Sequence, residues 1–179
     1  MNGQYLRGTL LLLAAVCVAA MHCGKTAANV PFAELRAAVS RAGWVERTDQ
    51  YRFFTAREFY DLVDGEAAVH EQLGLLYGVG VTSTSKGKVA DIFFEDFGSP
   101  SKARAMAAMK KKESSDPKKI PHVNVAALYS EAIGGCVAFW ARGRCYVEMA
   151  LTGYKSTAEA VRNAAILTDS LSAVLDRQK

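Results

Sequence analysis

The sequence lacks the motifs of several common chemistries, and each absence removes a class of function. It has no Gly-x-Ser-x-Gly turn for a hydrolase nucleophile and no Cys-x-x-Cys-His for haem attachment. Gly78 and Gly80 lie within a predicted strand and lack the Gly-Lys-Thr end of a phosphate-binding loop. A Cys–His enzyme would need Cys136 or Cys145 to meet a histidine through tertiary structure alone. No cofactor is therefore expected.

A concentrated excess of one charge sign is also lacking. The formal net charge is +4 over 179 residues, and the densest basic stretch, from Lys110 to Lys119, is interrupted by Glu113 and Asp116. Phosphate binding generally needs a concentrated stripe of Lys and Arg, so no nucleic-acid partner is expected. The basic stretch is interpreted as a solvated helix end and loop, with an anionic lipid headgroup or an acidic partner as the alternative.

No apolar run is long enough to cross a membrane as a helix, which takes about 20 residues. The run over residues 10–20 follows Arg7 and has the length of a signal-peptide core. Residues 1–23 are therefore predicted to be a secretory signal segment, and the protein to be exported to the periplasm. Two outcomes stay open: cleavage before Met21, or lipidation of Cys23, which would anchor the protein to the membrane.

Cysteines are few, and two of the four lie within the first 23 residues. Cys136 and Cys145 remain for an oxidising compartment that favours pairing. If Trp140 opposes Cys145 across a turn at 142–144, the two sulfurs are separated by about four residues along the hairpin, too far for a disulfide. Both cysteines are interpreted as buried thiols that pack like small apolar residues.

Beyond a tether over residues 24–30, the pattern predicts one α+β domain over residues 31–179. Two hairpins, over residues 75–97 and 137–151, are each followed by a helix, which predicts a single antiparallel sheet with a face covered by helices. Two further helices precede the first hairpin; Gly43 ends the first of them, and Gly74 ends the second. Residues 113–122 hold two prolines and are predicted to form a surface loop.

Capping patterns mark where two of the helices begin. Thr55 with Glu58, and Ser156 with Glu159, are predicted capping boxes, in which each side chain satisfies a free backbone N–H of the other residue.

One face of the predicted strand that contains Gly78, Gly80 and Thr82 is nearly without side chains. This favours close packing by a helix or another backbone against that face.

Three segments carry a resemblance to a known family: FYDLVDGEAAVHEQLGLLYG, FEDFGSPSKARAM and FWARGRCYVEM. Together they resemble an uncharacterised family of bacterial exported proteins with a domain of unknown function, and the likeness covers roughly residues 40–175. The resemblance implies a cell-envelope location and no agreed activity, so it identifies no catalytic residue.

The predicted second helix carries the best candidates for enzymatic chemistry. Glu66 and His70 are four residues apart on one helical face, and Asp64 is close in sequence; such a set could bind a metal or transfer a proton. One helical turn supplies only two ligands, so a third would have to come from another element, the candidates being Asp91, Glu95 and His122. The alternative, a capped amphipathic helix with solvated charges, needs no such partner.

The second hairpin carries the aromatic residues best suited to a ligand. Phe139, Trp140 and Tyr146 are large enough to anchor the core or to line a cavity beside it. The leading hypothesis is a noncatalytic envelope protein that uses this cavity or the sheet face to bind a small ligand or another envelope component. The alternatives are an enzyme that uses Glu66, His70 and Asp64, and a structural protein that self-assembles through its sheet edges.

Overall fold

The computed structural model describes residues 30–61, 67–113, 118–119, 126–130 and 135–177. Within them the α-helices are α1 Phe32–Arg41, α2 Ala56–Phe59, α3 Ala67–Leu73, α4 Pro100–Glu113 and α5 Thr157–Asp176. The strands are β1 Val45–Glu46, β2 Arg52–Thr55, β3 Tyr77–Ser85, β4 Lys88–Asp96, β5 Lys118–Lys119, β6 Ala126–Ser130, β7 Gly135–Arg142 and β8 Cys145–Thr152. A 3-10 helix, Thr48–Gln50, joins β1 to β2. None of the described helices is long and apolar enough to cross a membrane.

The predicted capping box at Thr55 is present in full. The backbone N–H of Glu58 donates to Thr55 Oγ1, and the Thr55 backbone N–H donates to Glu58 Oε2 at 2.8 Å. At α5 only half of the predicted box forms, because the Glu159 N–H donates to Ser156 Oγ while the Glu159 carboxylate pairs with Lys88. Both helix starts were thus predictable from sequence. At α5, however, the glutamate side chain of the capping box forms an ion pair with a lysine of β4 and does not cap the helix.

The described strands form a single antiparallel sheet, as predicted. Their order is β1, β3, β4, β8, β7, β6, β5, and β2 also pairs with β3. The two predicted hairpins meet in the middle, where β4 pairs with β8 over Val89↔Thr152 to Asp96↔Cys145. The turn of the first hairpin is at Lys86 and Gly87, whose φ angles of 50° and 78° suit a two-residue turn.

Both faces of the sheet carry helices, so the prediction of a covered face was incomplete. On one face, α1 and α5 cover the first core, whose side chains include Ile92, Met149 and Leu167. On the other face, α2, α3 and α4 cover a second core that includes Phe54 and Tyr146. The second core was missed because polar residues are interspersed along its strands and mask its apolar positions.

The bare face of β3 is filled by an aromatic ring. A methyl group at Gly78 would lie 2.4 Å from Cζ of Phe54 on β2, so only glycine lets that ring approach the sheet. The nearest neighbour is thus a side chain of the adjacent strand β2, and the backbone carbonyl of Phe94 on β4 follows at 2.8 Å. Within residues 113–122, which were predicted to form a surface loop, Lys118–Lys119 form the short strand β5.

Candidate functional site

The three aromatic residues of the second hairpin lie in the interior, on two different faces. Phe139 and Tyr146 are 1% and 0% exposed and belong to the second core, whereas Trp140 is 5% exposed and belongs to the first core. Successive residues of a strand point to opposite faces, so the structure brings Phe139 and Tyr146 together but not Trp140. That these residues bind a ligand stays a prediction.

His70 and Glu95 form a buried pair beneath the helices of the second core. His70 Nε2 of α3 lies 3.3 Å from Glu95 Oε2 of β4, and the two side chains are 3% and 2% exposed. The ring centroids of Phe59 and Phe97 lie 4.6 and 6.2 Å from the centroid of the His70 ring, and both rings help to exclude water. Burial raises the pKa of Glu95 because it disfavours the charged carboxylate, and His70 opposes that shift.

A second polar group adjoins this pair on the same sheet face. Tyr146 is the cross-strand partner of Glu95, and its hydroxyl donates to Glu148 Oε2 at 2.8 Å. Lys110 of α4 places its Nζ 3.2 Å from Glu148 Oε1. Sequence reasoning missed Tyr146 and Glu148 as polar partners, although their alternation with apolar Cys145 and Val147 was a signal that they share the opposite face.

The structure describes the predicted metal or acid–base set only in part. Of its members, Asp64 and Glu66 lie outside the described residues, as do His122 and the lipidation candidate Cys23. Of the two described candidates for a third ligand, Asp91 and Glu95, Glu95 lies beside His70. The described residues contain no group of three His, Cys, Asp or Glu side chains suited to a metal ion.

An open groove of about 440 Å³ lies on the same sheet face, beside the helices. Its floor is β3 and β4, where Gly80 has no side chain and the half-buried ring of Phe93 lies next to it. Thr82 Oγ1 donates to Asp91 Oδ1 at 2.6 Å, which holds the carboxylate in place. Arg52 lines the groove from the edge strand β2. The groove therefore combines a carboxylate, a guanidinium and an aromatic surface on rigid strands.

The groove also adjoins the buried polar groups. Phe93, which lines it, is the cross-strand partner of Glu148. On this sheet face, polar side chains thus extend from Asp91 in the open groove, past Glu148 and Tyr146, to the buried Glu95, which contacts His70 of α3. Sequence reasoning named Asp91 and Glu95 as candidate ligands but could not find the groove, because its walls come from separate strands.

A second groove, of about 450 Å³, lies between α1 and β1. Trp44 and Ser83 line its inner part, and Arg36 at its rim makes two hydrogen bonds to Glu46 at 2.7 and 2.8 Å. Ser83 Oγ is buried and has no hydrogen-bond partner among the described residues. Because Arg36 is engaged by Glu46 and by the ring of Tyr51 at 4.3 Å, this groove offers mainly apolar surface and hydroxyl groups.

Cys136 and Cys145 are both free and buried, as predicted. The predicted register was wrong: Trp140 opposes Val147, and Cys145 opposes Arg142, because only residues 143 and 144 form the turn and Arg142 belongs to β7. The two cysteines lie even further apart in this register, so the expected absence of a bond between them follows from geometry. Burial raises the pKa of Cys136 to about 11 and raises that of Cys145 as well.

Comparisons with known proteins identify no family. No protein-family model matches the chain, and no curated protein matches it. Among solved structures, the chain is similar to the extracellular domain of PknH from Mycobacterium tuberculosis, with a TM-score of 0.47 and 15% sequence identity. The match covers 80% of this chain and 92% of that chain. A similarity of this size says nothing about ligand or activity.

Proposed function

We propose that the protein is an exported binding module of the cell envelope, without catalytic activity of its own. The apolar run over residues 10–20 supports export, and Cys23 supports a lipid anchor. The module binds its ligand or partner in the sheet-face groove around Asp91 and Phe93. The observation that carries this proposal is the position of the groove: its charged and aromatic groups lie on paired strands, which hold them in fixed positions.

The chemistry of the groove favours a small polar ligand with one apolar face. The Asp91 carboxylate, held by Thr82, accepts hydrogen bonds from a donor group. The half-buried ring of Phe93 contacts an apolar or planar surface, and Arg52 suits a carbonyl or anionic group at the edge. A volume of about 440 Å³ is within the range of small-molecule sites.

Amide shifts measured by NMR on the mature chain, with a library of small amines, amides and amino acids, test the binding proposal. We expect the shifted amides to cluster at Gly80, Thr82, Asp91 and Phe93. Asp91→Asn keeps the shape of the side chain and removes its charge, and should weaken binding of amines at least tenfold, since a charged hydrogen bond contributes about 1.5–3 kcal/mol.

The matched control is Asp169→Asn, at an exposed position on α5, which should leave the affinity unchanged. If the shifted amides cluster in the groove between α1 and β1, the ligand binds in that groove instead. Shifts spread over the whole surface would contradict the proposal.

Mass spectrometry of the mature N-terminus from native membranes tests export. Cys23 with a diacylglyceryl group or a Met21 start supports it, and an intact cytosolic chain contradicts it.

The contact between His70 and Glu95 favours a second candidate, acid–base or metal-assisted chemistry in which Glu66 and Asp64 take part. The pair unites an imidazole and a carboxylate in a dry environment, an arrangement that can transfer protons. Elemental analysis of the purified protein, with His70→Ala as the comparison, tests this candidate. A stoichiometric metal lost in His70→Ala would support it, whereas a metal-free protein with unchanged ligand binding in the variant would contradict it.

A further inference from the structure

A partly exposed aromatic cluster lies near the first described residues of the domain, with Phe53 exposed and Phe32 and Tyr77 half-buried. Phe53 on the edge strand β2 is 56% exposed, and its ring stacks on that of Tyr77 at 5.8 Å. Phe32, at the start of α1, contacts the Tyr77 ring edge-on, with the ring centroids 5.7 Å apart. We call Phe32, Phe53 and Tyr77 the aromatic patch. Because a ring exposed to this extent is only partly packed against the core, the rest of its surface can contact an external partner.

The position of the patch relative to the N-terminal tether limits what that partner can be. Val30 is buried, and its carbonyl accepts a hydrogen bond from the Phe32 N–H at 2.9 Å, so the chain is fixed to the domain beside the patch. Only residues 24–29 separate Cys23 from Val30. The seven steps from Cys23 to Val30 reach at most about 25 Å when fully extended. A lipid anchor at Cys23 therefore keeps Val30, two residues before Phe32 of the patch, within about 25 Å of the membrane surface.

The chemistry around the patch suits the interfacial region of a bilayer. Aromatic side chains are enriched there because an apolar ring and a polar edge or hydroxyl meet both environments. The nearby charges on α1 are already paired, Glu34 with Arg177 at 3.8 Å and Arg36 with Glu46 at 2.7 Å. The contact would therefore depend on apolar burial and only weakly on anionic lipid.

We propose that the aromatic patch of Phe32, Phe53 and Tyr77 docks onto the membrane surface and orients the anchored domain. This inference rests on the proposed export and anchoring at Cys23. An anchor attached through one flexible tether restricts distance but not orientation, whereas a second contact by the patch fixes which face of the domain points away from the bilayer.

Tryptophan fluorescence of the full chain in vesicles of phosphatidylcholine tests the docking. Phe53→Trp places a reporter in the patch, and Val45→Trp is the matched control. Val45 is 70% exposed on the same sheet edge, opposite Thr84 and about 23 Å along β3 from Tyr77. Both variants also contain the native Trp44 and Trp140, whose emission in the parent chain is subtracted. We expect the added emission from position 53 to shift to shorter wavelength and to be lost with brominated acyl chains, while the added emission from position 45 stays unchanged.

A second measurement uses the unanchored chain with Cys23→Ser. There, Phe53→Thr should lower the vesicle partition coefficient about tenfold, as expected for burial of half a phenylalanine side chain. Equal emission from the two reporters, or equal partition of Phe53→Thr and its parent, would contradict the docking. Emission that shifts only when a partner protein is added would assign the patch to a protein interface and contradict it too.

The mass of the mature N-terminus is measured on the same preparation, so the two proposals fail separately. A chain without lipid at Cys23 contradicts the anchor, whereas an unshifted reporter on a lipid-bearing chain contradicts docking alone.

Discussion

The ionisation of the Glu95 carboxyl group depends on its buried position. The group lies within 3.3 Å of His70 and is almost fully removed from solvent. In the folded chain its pKa is raised above the ordinary 4.5 because burial disfavours the charged form, with the nearby Glu148 adding to the effect. The unfolded chain lacks this environment, so Glu95 couples folding to pH.

Replacement of Glu95 by glutamine should remove that coupling. Because the folded chain holds the proton more tightly than the unfolded one, the stability contributed by protonated Glu95 is present below about pH 4.5 and is lost as the pH rises through the raised pKa of the folded state. The free energy of unfolding of the parent, relative to Glu95→Gln, should therefore fall between acidic and neutral pH. Urea unfolding over this pH range measures the difference, and a constant difference would contradict the prediction.

The two buried cysteines should be chemically inert in the folded chain. Thiolates are the reactive form, and the pKa of Cys136 is raised to about 11, so few thiolates exist near neutral pH. We expect no modification of Cys136 or Cys145 by iodoacetamide under native conditions and complete modification in urea. Peptide mass spectrometry reads each site separately; rapid native labelling of either cysteine would show that the fold opens there.

At the scale of elements, the N-terminus of α5 depends on one side chain. Ser156 Oγ accepts a hydrogen bond from the Glu159 N–H, and the helix that follows contributes Ala164, Leu167 and Leu171 to the first core. A break at this end would therefore loosen a helix that, together with α1, covers one face of the sheet.

The cap should be measurable in stability. Ser156→Ala should lower the free energy of unfolding by about 1 kcal/mol, as for other N-cap serines. Ser170→Ala is the control on the same helix: Ser170 Oγ donates only to the Ile166 carbonyl of the preceding turn, and alanine has the higher helix propensity. Denaturant unfolding compares the two variants. Equal losses would mean that the cap adds nothing specific.

At the scale of the whole molecule, the sheet is an interior layer between two sets of helices. Glycine permits close approach between strands at two positions of this layer: Gly78 admits the Phe54 ring of β2, and Gly135 lies so close to the Leu151 backbone of β8 that a methyl group would clash.

Two adjacent positions on α5 should show the difference between the interior and the surface. Leu167 is fully buried in the first core, whereas Ile166 is 58% exposed. Leu167→Ala should cost about 2–5 kcal/mol because it leaves a cavity, and Ile166→Ala should change stability by roughly 0.5 kcal/mol or less. Thermal and denaturant unfolding of both variants test this, and similar losses would argue against α5 as a packed layer.

Much of the element order was predictable because it depends on local signals. Thr55 and Ser156 mark helix starts by capping, and Lys86 with Gly87 forms the turn that joins two alternating strands. The candidate site was predictable only in fragments. His70 and Glu95 were named as candidates from sequence, but nothing in their spacing showed that they would meet at 3.3 Å.

The sequence by itself determined the α+β class, the two hairpins and the burial of both thiols, because hydrophobic periodicity and turn residues act over a few positions. Only the tertiary structure decided that both sheet faces are covered, that Phe139 and Trp140 lie in separate cores, and that a groove opens at Asp91. The physical reason is that strand pairing brings distant residues onto one face, and local sequence patterns do not encode which strands pair.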